Sequence, residues 1–288
     1  MSALRLGLVF ALLAILSACQ STTPPVKPPP DRPLPEYAAV AATYNARTAP
    51  LERLWARVIV RFTVKDDKGR RRTEQGEGYL QIIRPMHVLL SVGSYLDRMY
   101  FYLGSNETHY WWIDALPDKP REAAVGELAL ATRDRAAELG VPVHPLDLLE
   151  LIGVTTIPDS GGSLRWVDAG LELSVPARWG ARRLTLNPTT LEPQHIDLIA
   201  ESGELVASAE ITAPVAVTIE GSGLRPTIAG RVVIQMPALE AEVIIDISSP
   251  ETSSRRPRPQ VFNLDTLLRA ARVERIISID DAAAASQD

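Results

Sequence analysis

Apolar positions along the chain follow one period before Trp55 and another after it. Upstream, Tyr37, Val40, Ala41 and Tyr44 fall at i, i+3, i+4 and i+7, which predicts a helix over 36–48 that Pro50 stops. Downstream, Ala56, Val58, Val60, Phe62 and Val64 share one side of an extended strand, and Arg57, Arg61 and Thr63 share the other. The turn Asp66-Asp67-Lys68-Gly69 sends the chain back through 78–83, Pro85 breaks it, and strand patterns follow at 87–92, 98–104 and 108–113. The second half repeats the alternation at Leu171, Leu173 and Val175, and at Leu184 and Leu186. It continues through 196–200, 205–211, the row Ile228, Val232, Ile234 and Met236, and the row Val243, Ile245 and Ile247.

These are antiparallel meander signals, roughly a dozen strands in all. An open sheet of that size tends to curl, so its concave face is either filled or left hollow. Helices interrupt briefly. Residues 122–139 are alanine-rich, charged and ambiguous. Residues 145–152 start on Pro145 and stop at Gly153. With Leu146, Leu148, Leu149, Leu151 and Ile152, this helix is too apolar all round to stand in water, and it should plug or cover the concave face. Asn263 is placed to cap a helix at 264–271.

The N-terminus has a different grammar. Arg5 precedes an apolar run over 6–16, about eleven residues against the roughly 20 that cross a bilayer. A short transmembrane anchor is the alternative. Leu16-Ser17-Ala18-Cys19 then resembles the lipobox of bacterial lipoprotein signals. That resemblance implies a signal peptide over 1–18, acylation of the Cys19 thiol and a membrane anchor made of acyl chains. More than one chain is needed for stable anchoring. Gln20 rather than Asp follows, which implies outer-membrane sorting with the body facing the periplasm. Residues 20–35 include seven prolines and predict a polyproline spacer. The expected organisation is a signal at 1–18, acylated Cys19 with its linker to 35, one domain over 36–280 and a flexible tail at 281–288.

Composition narrows the functions. Hydrophobic residues make up 46% of the 288, which suits a folded body. Net charge is −5, and it becomes −6 without residues 1–18, where Arg5 is the one charged residue. Nucleic-acid binding needs a basic face, so no such partner is expected. The lone cysteine offers no disulfide. His87, His109, His144 and His195 show no metal-ligand spacing, and no G-x-S-x-G elbow or phosphate loop occurs. No cofactor, metal or catalytic group is expected. Tyr100, Tyr102, Tyr110, Trp111 and Trp112 are concentrated in one stretch, and adjacent Trp111 and Trp112 must point to opposite faces. They could line a ligand site or pack ordinarily.

The order of anchor, spacer, helix and long meander with a helical insertion resembles the LolA/LolB-like lipoprotein-localisation chaperones. The stretch 54–113 carries the likeness: Leu54-Trp55 opening a strand, a polar hairpin, Gly78-Tyr79-Leu80-Gln81-Ile82, Pro85, and a later hairpin ending Tyr110-Trp111-Trp112-Ile113. The resemblance implies a mainly β (α+β) fold, a single antiparallel half-open β-barrel with covering helices. It also implies an apolar cavity for a lipid or an acylated lipoprotein. Cavity candidates are Val58, Val60, Phe62, Leu184, Val232, Ile234 and Leu149. LolB-like proteins carry an exposed leucine on a loop between neighbouring strands, which makes Tyr95 and Leu96 candidates for membrane or partner contact. Packing into the barrel mouth is the alternative for that pair. LolA-like proteins use an arginine beneath the lid, a role the pattern does not assign among Arg57, Arg61, Arg98 and Arg183. A monomeric carrier is expected; a structural or assembly lipoprotein with a filled barrel is the alternative.

Overall fold

The computed structural model describes residues 32–65, 69–94, 99–116, 120–133, 135 and 143–281. The signal at 1–18, Cys19, most of the linker, Asp66 to Lys68, Tyr95, Leu96, Arg98 and 282–288 lie outside the described residues. Helix α1 (Tyr37–Thr48) buries Val40, Ala41 and Tyr44, the stripe its spacing predicts. Strand β1 (Arg53–Lys65) follows and pairs with β2 (Arg71–Ile83) from Arg53↔Ile83 to Lys65↔Arg71. The meander continues through β3 (His87–Gly93), β4 (Met99–Ser105), β5 (His109–Asp114) and β6 (Glu122–Glu127). Helix α2 (Pro145–Leu151) separates it from a second run: β7 (Ser163–Val167), β8 (Gly170–Ala177), β9 (Gly180–Leu186), β10 (Pro193–Ala200) and β11 (Leu205–Thr212).

Three two-residue strands come next, β12 (Val215–Ala216), β13 (Thr218–Ile219) and β14 (Thr227–Ile228). Then β15 (Arg231–Met236) leads to β16 (Ala241–Thr252), which pairs with β1 and joins the two runs into one sheet. Helix α3 (Leu264–Ala271) and β17 (Arg275–Ser278) finish the described chain. The row Ile228 to Met236 is therefore two strands rather than one, interrupted at Ala229 and Gly230.

The sheet order is β17-β6-β5-β4-β3-β2-β1-β16-β15-β11-β10-β9-β8-β7, with β13 beside β16. It is mainly β, dominated by antiparallel pairs and not closed, since its two ends, β17 and β7, are not neighbours. Two pairs correct the all-antiparallel expectation: β17 with β6 and β13 with β16 are parallel. β17 reaches its edge through α3, and such a crossover delivers a strand in parallel.

Alternation decides what each side of the sheet faces. On β1, Leu54, Ala56, Val58 and Val60 are buried while Ile59 stands 39% exposed on the other side. α2 packs against β10 on one side and against β3 and β4 on the other, so the sheet wraps around it. Leu148, Leu149 and Leu151 of α2 are nearly inaccessible there. A second, smaller core lies on the outer face, where Leu267 and Ala271 of α3 cover Trp111, Ile113, Ala123 and Leu89. The Asn263 Oδ1 accepts from the Thr266 N–H at 2.8 Å and caps α3.

Candidate functional site

The inner face of β2 runs from filled to hollow to charged. Its inward residues are Ile82, Leu80, Gly78, Gly76, Glu74 and Arg72, opposite Leu54, Ala56, Val58, Val60, Phe62 and Val64 of β1. At the two glycines β3 lies too close for a side chain: a Cβ at Gly78 would come within 1.7 Å of the Ser91 carbonyl oxygen. A Cβ at Gly76 would meet Val92 Cγ1 at 2.5 Å and the Gly93 carbonyl oxygen at 2.8 Å. Beyond this point a cleft of about 400 Å³ opens, lined by Phe62, Val64, Val92, Tyr100, Phe101, Trp112 and Leu116. That volume falls in the range of small-molecule sites. Phe101 meets Phe62 edge-on at 5.0 Å and stacks on Trp112 at 4.5 Å, so three aromatic rings pave one wall. Arg72, Glu74 and Asp114 stand at its edge, with Arg72 and Glu74 ion-paired.

The seven cavity candidates divide between two places. Phe62 lines the cleft. Val58, Val60, Leu184, Val232, Ile234 and Leu149 are packed together in the main core at 2% exposure or less and do not line it. Inward direction was readable from alternation; which end stays open depends on where α2 stops filling the face. Tyr95 and Leu96 fall in sequence between β3 and β4, outside the described residues. Trp111 and Trp112 face opposite sides as adjacent strand residues must, one under α3 and one in the cleft.

Behind the cleft, α2 is followed by a segment held from three sides. Arg47 Nη2 donates to the Gly153 carbonyl at 2.9 Å, Arg84 Nη1 to the Val154 carbonyl at 3.3 Å, and Arg182 to the Thr155 hydroxyl and the Thr156 carbonyl. Burial lowers the Arg84 pKa from its ordinary value. Arg98 lies outside the described residues, and none of the other three arginines weighed from sequence does this. Arg57 is exposed on the outer face, Arg61 donates to Gln75 there, and Arg183 pairs with Glu172 and Asp197. The missed residue, Arg182, shares strand phase with Leu184 and Leu186, so alternation alone could have pointed it inward.

A polar seam fills the gap between the sheet's halves. His144 caps α2 by accepting from the Leu146 N–H at 3.2 Å, between the rings of Tyr110 at 4.8 Å and Trp179 at 4.9 Å. Burial, reinforced by Arg133 and Arg178, lowers its pKa to about 3, so the ring is neutral. Arg133 pairs with Asp147 and lies over Trp179. Burial pushes the Asp147 carboxyl up despite that pairing, and it raises Glu150 as well.

On the outer face, His195 Nε2 lies 2.8 Å from Asp197 Oδ1 and 3.0 Å from Ser208 Oγ. The residue types match a hydrolase triad but the geometry does not: both contacts use one ring nitrogen, whereas a relay needs the carboxylate on Nδ1 and the serine on Nε2. The cluster is part of a polar row across the sheet, Arg183↔Asp197↔Ser208↔Gln235↔Glu242↔Thr63. Among the described residues no group of three His, Cys, Asp or Glu side chains could hold a metal ion, and no helix is long and apolar enough to cross a membrane.

No protein-family model and no curated protein matches the chain. Solved structures do. A LolA superfamily protein from Nitrosomonas europaea superimposes with a TM-score of 0.51 at 12% identity, covering 81% of this chain and 100% of that one. A domain assigned to outer-membrane lipoprotein sorting in Vibrio parahaemolyticus gives 0.48 at 9% identity over 80% of this chain and 97% of its own. A DUF1329 family protein from Desulfovibrio piger gives 0.47 at 12% identity over 79% and 98%. The likeness to the first is one of fold, which is the LolA-like fold that the order of elements resembles.

Proposed function

We propose that this chain, with the fold of a LolA superfamily protein, is a membrane-tethered lipoprotein facing the periplasm that carries a lipid or an acylated ligand. The half-barrel cleft at Phe62, Phe101 and Trp112 is the binding site. The observation that carries this reading is an apolar hollow that continues the main core past Val60 and is not filled by side chains. Burying about ten methylenes at about 0.8 kcal/mol each gives about 8 kcal/mol, a micromolar Kd before association costs are counted. A cleft this size therefore suits a carrier that must also release. Cys19 supplies the tether, Gln20 sends it to the outer membrane, and Tyr95 and Leu96 touch membrane or partner. A longer ligand would have to displace α2 with Leu149 and expose Val58, Val60, Leu184, Val232 and Ile234.

The second reading, an assembly lipoprotein acting through partners, is favoured by that packed centre. Native mass spectrometry of the full chain, extracted from cell membranes in a mild detergent, separates the two. A co-purifying lipid that is lost when Phe62 is replaced by Asp supports the carrier. An empty protein with stably bound protein partners supports assembly and removes the carrier.

A further inference from the structure

We infer that the cleft takes one acyl chain and not two or three, and that its edge selects a headgroup bearing both a phosphate and an amine. A single-chain zwitterionic phospholipid has that chemistry. The inference rests on the carrier reading above and adds the ligand class.

The hollow is about 400 Å³. A methylene group is close in size to a water molecule, whose share of liquid volume is about 30 Å³, so roughly thirteen methylenes fill it. That is most of one acyl chain. Neither side offers room for a second. Toward the core, Val58 and Val60 are at most 2% exposed, and the three aromatic rings pave the wall that begins at Phe62 on the same face of β1.

The edge is charged in both signs. On β2, Glu74 is opposite Phe62 and Arg72 is opposite Val64, so both are on the face that carries the hollow. They pair with each other, and their side chains are 69% exposed for Arg72 and 49% for Glu74, free to turn toward a headgroup. Asp114 adds a second carboxylate; one of its oxygens accepts the Leu116 N–H at 2.9 Å. A fatty acid would place its carboxylate on Arg72 and bring no cation for Glu74 and Asp114. A phosphoglycerol head would satisfy Arg72 and leave the carboxylates unmatched. A phosphoethanolamine head matches both, with phosphate on Arg72 and ammonium on Glu74 or Asp114.

The test uses the full chain in dodecyl maltoside, which competes equally in every arm, with bound ligand counted by native mass spectrometry. Palmitate, palmitoyl lysophosphatidylglycerol, palmitoyl lysophosphatidylethanolamine and dipalmitoyl phosphatidylethanolamine are titrated separately. The expected result is one lysophosphatidylethanolamine per protein, bound about fivefold more tightly than the other single-chain ligands, as an exposed ion pair allows. Glu74→Gln combined with Asp114→Asn should erase the preference over lysophosphatidylglycerol. Equal binding of the three single-chain ligands overturns the headgroup assignment and leaves the acyl cleft standing. Tighter binding of the two-chain lipid overturns the single-chain assignment. Binding of none overturns the inference and the carrier reading together.

Discussion

Arg182 is 3% exposed and reaches from β9 to the Thr156 carbonyl, donating through Nη2 at 2.9 Å. A buried guanidinium is costly unless its donors are met; here Nη1 and Nη2 are met by the chain that leaves α2, while Nε has no partner. Arg182→Met keeps the apolar stem and removes the donors, stranding the Thr156 carbonyl. The expected loss is about 3 kcal/mol in urea unfolding. Limited proteolysis should locate new cleavage in 153–157 before the rest of the chain is cut.

His144 makes stability fall in mild acid. Its folded pKa is depressed to about 3, so the unfolded chain binds the proton first, below about 6.5. Stability from this group is complete above 6.5 and is lost as pH falls from there toward 3, by about 1.4 kcal/mol per pH unit. Asn at 144 can still cap α2. Urea titrations at pH 7, 6, 5 and 4 should show a shallower acid decline for His144→Asn than for the unsubstituted chain. Parallel declines would remove His144 as the cause.

His195 has the opposite sign. The hydrogen bond to Asp197, partly offset by burial, raises its pKa above 6.5. Its contribution is fully present below that value and is lost as pH rises through the folded value. Burial alone would raise Asp197, but the bond from His195 holds it below the ordinary carboxylate range. Its share is therefore present above about 3.8 and lost as pH falls through the lower folded value. With the His195 side chain 41% exposed, the pair is worth less than about 1 kcal/mol. His195→Gln should cost that much at pH 5.5 and nothing measurable at pH 9, read from unfolding midpoints.

Cys19→Ser tests the tether. The unsubstituted chain should incorporate an alkyne-tagged palmitate analogue, and the variant should incorporate none. The variant should also keep residues 1–18, visible by intact mass, because the lipobox needs its thiol. Label on the serine variant would place acylation elsewhere.

Sequence showed the fold wherever one face of a strand meets the core and the other meets water. β1 is such a strand, and Ala56, Val58 and Val60 read correctly as one face, which is buried. β6 did not read, because its Glu and Ala residues favour a helix in isolation. Tertiary context prevails there: Gly126 lies against the Tyr110 ring, where a Cβ would come within 2.3 Å of Cζ. β17 is four residues long, with Ile276 and Ile277 exposed at 58% and 37%, too short and one-sided to show a period. The cleft was half legible. Of the five aromatics singled out at 100–112, Tyr100 and Trp112 line it, while Tyr110 is in the main core and Tyr102 and Trp111 are in the outer one. Gly76 and Gly78 fall in phase with Leu80 and Ile82, and a missing inward residue reads as a weak strand unless its phase is followed.

Crowding the cleft at Gly76 is the sharpest test of the site. In Gly76→Val the new Cβ would lie 2.5 Å from Val92 Cγ1 and 2.8 Å from the Gly93 carbonyl oxygen. Backbone oxygen cannot rotate away, so β2 and β3 must separate locally, at about 1–3 kcal/mol. The added methyls also crowd Val92 and Tyr100, two residues that line the cleft. The variant should stay folded by near-ultraviolet circular dichroism, unfold at lower urea and lose binding of a fluorescent fatty acid by at least about tenfold, since each excluded methylene forfeits about 0.8 kcal/mol. Unchanged affinity in a destabilised protein would mean that acyl chains bind elsewhere on the molecule.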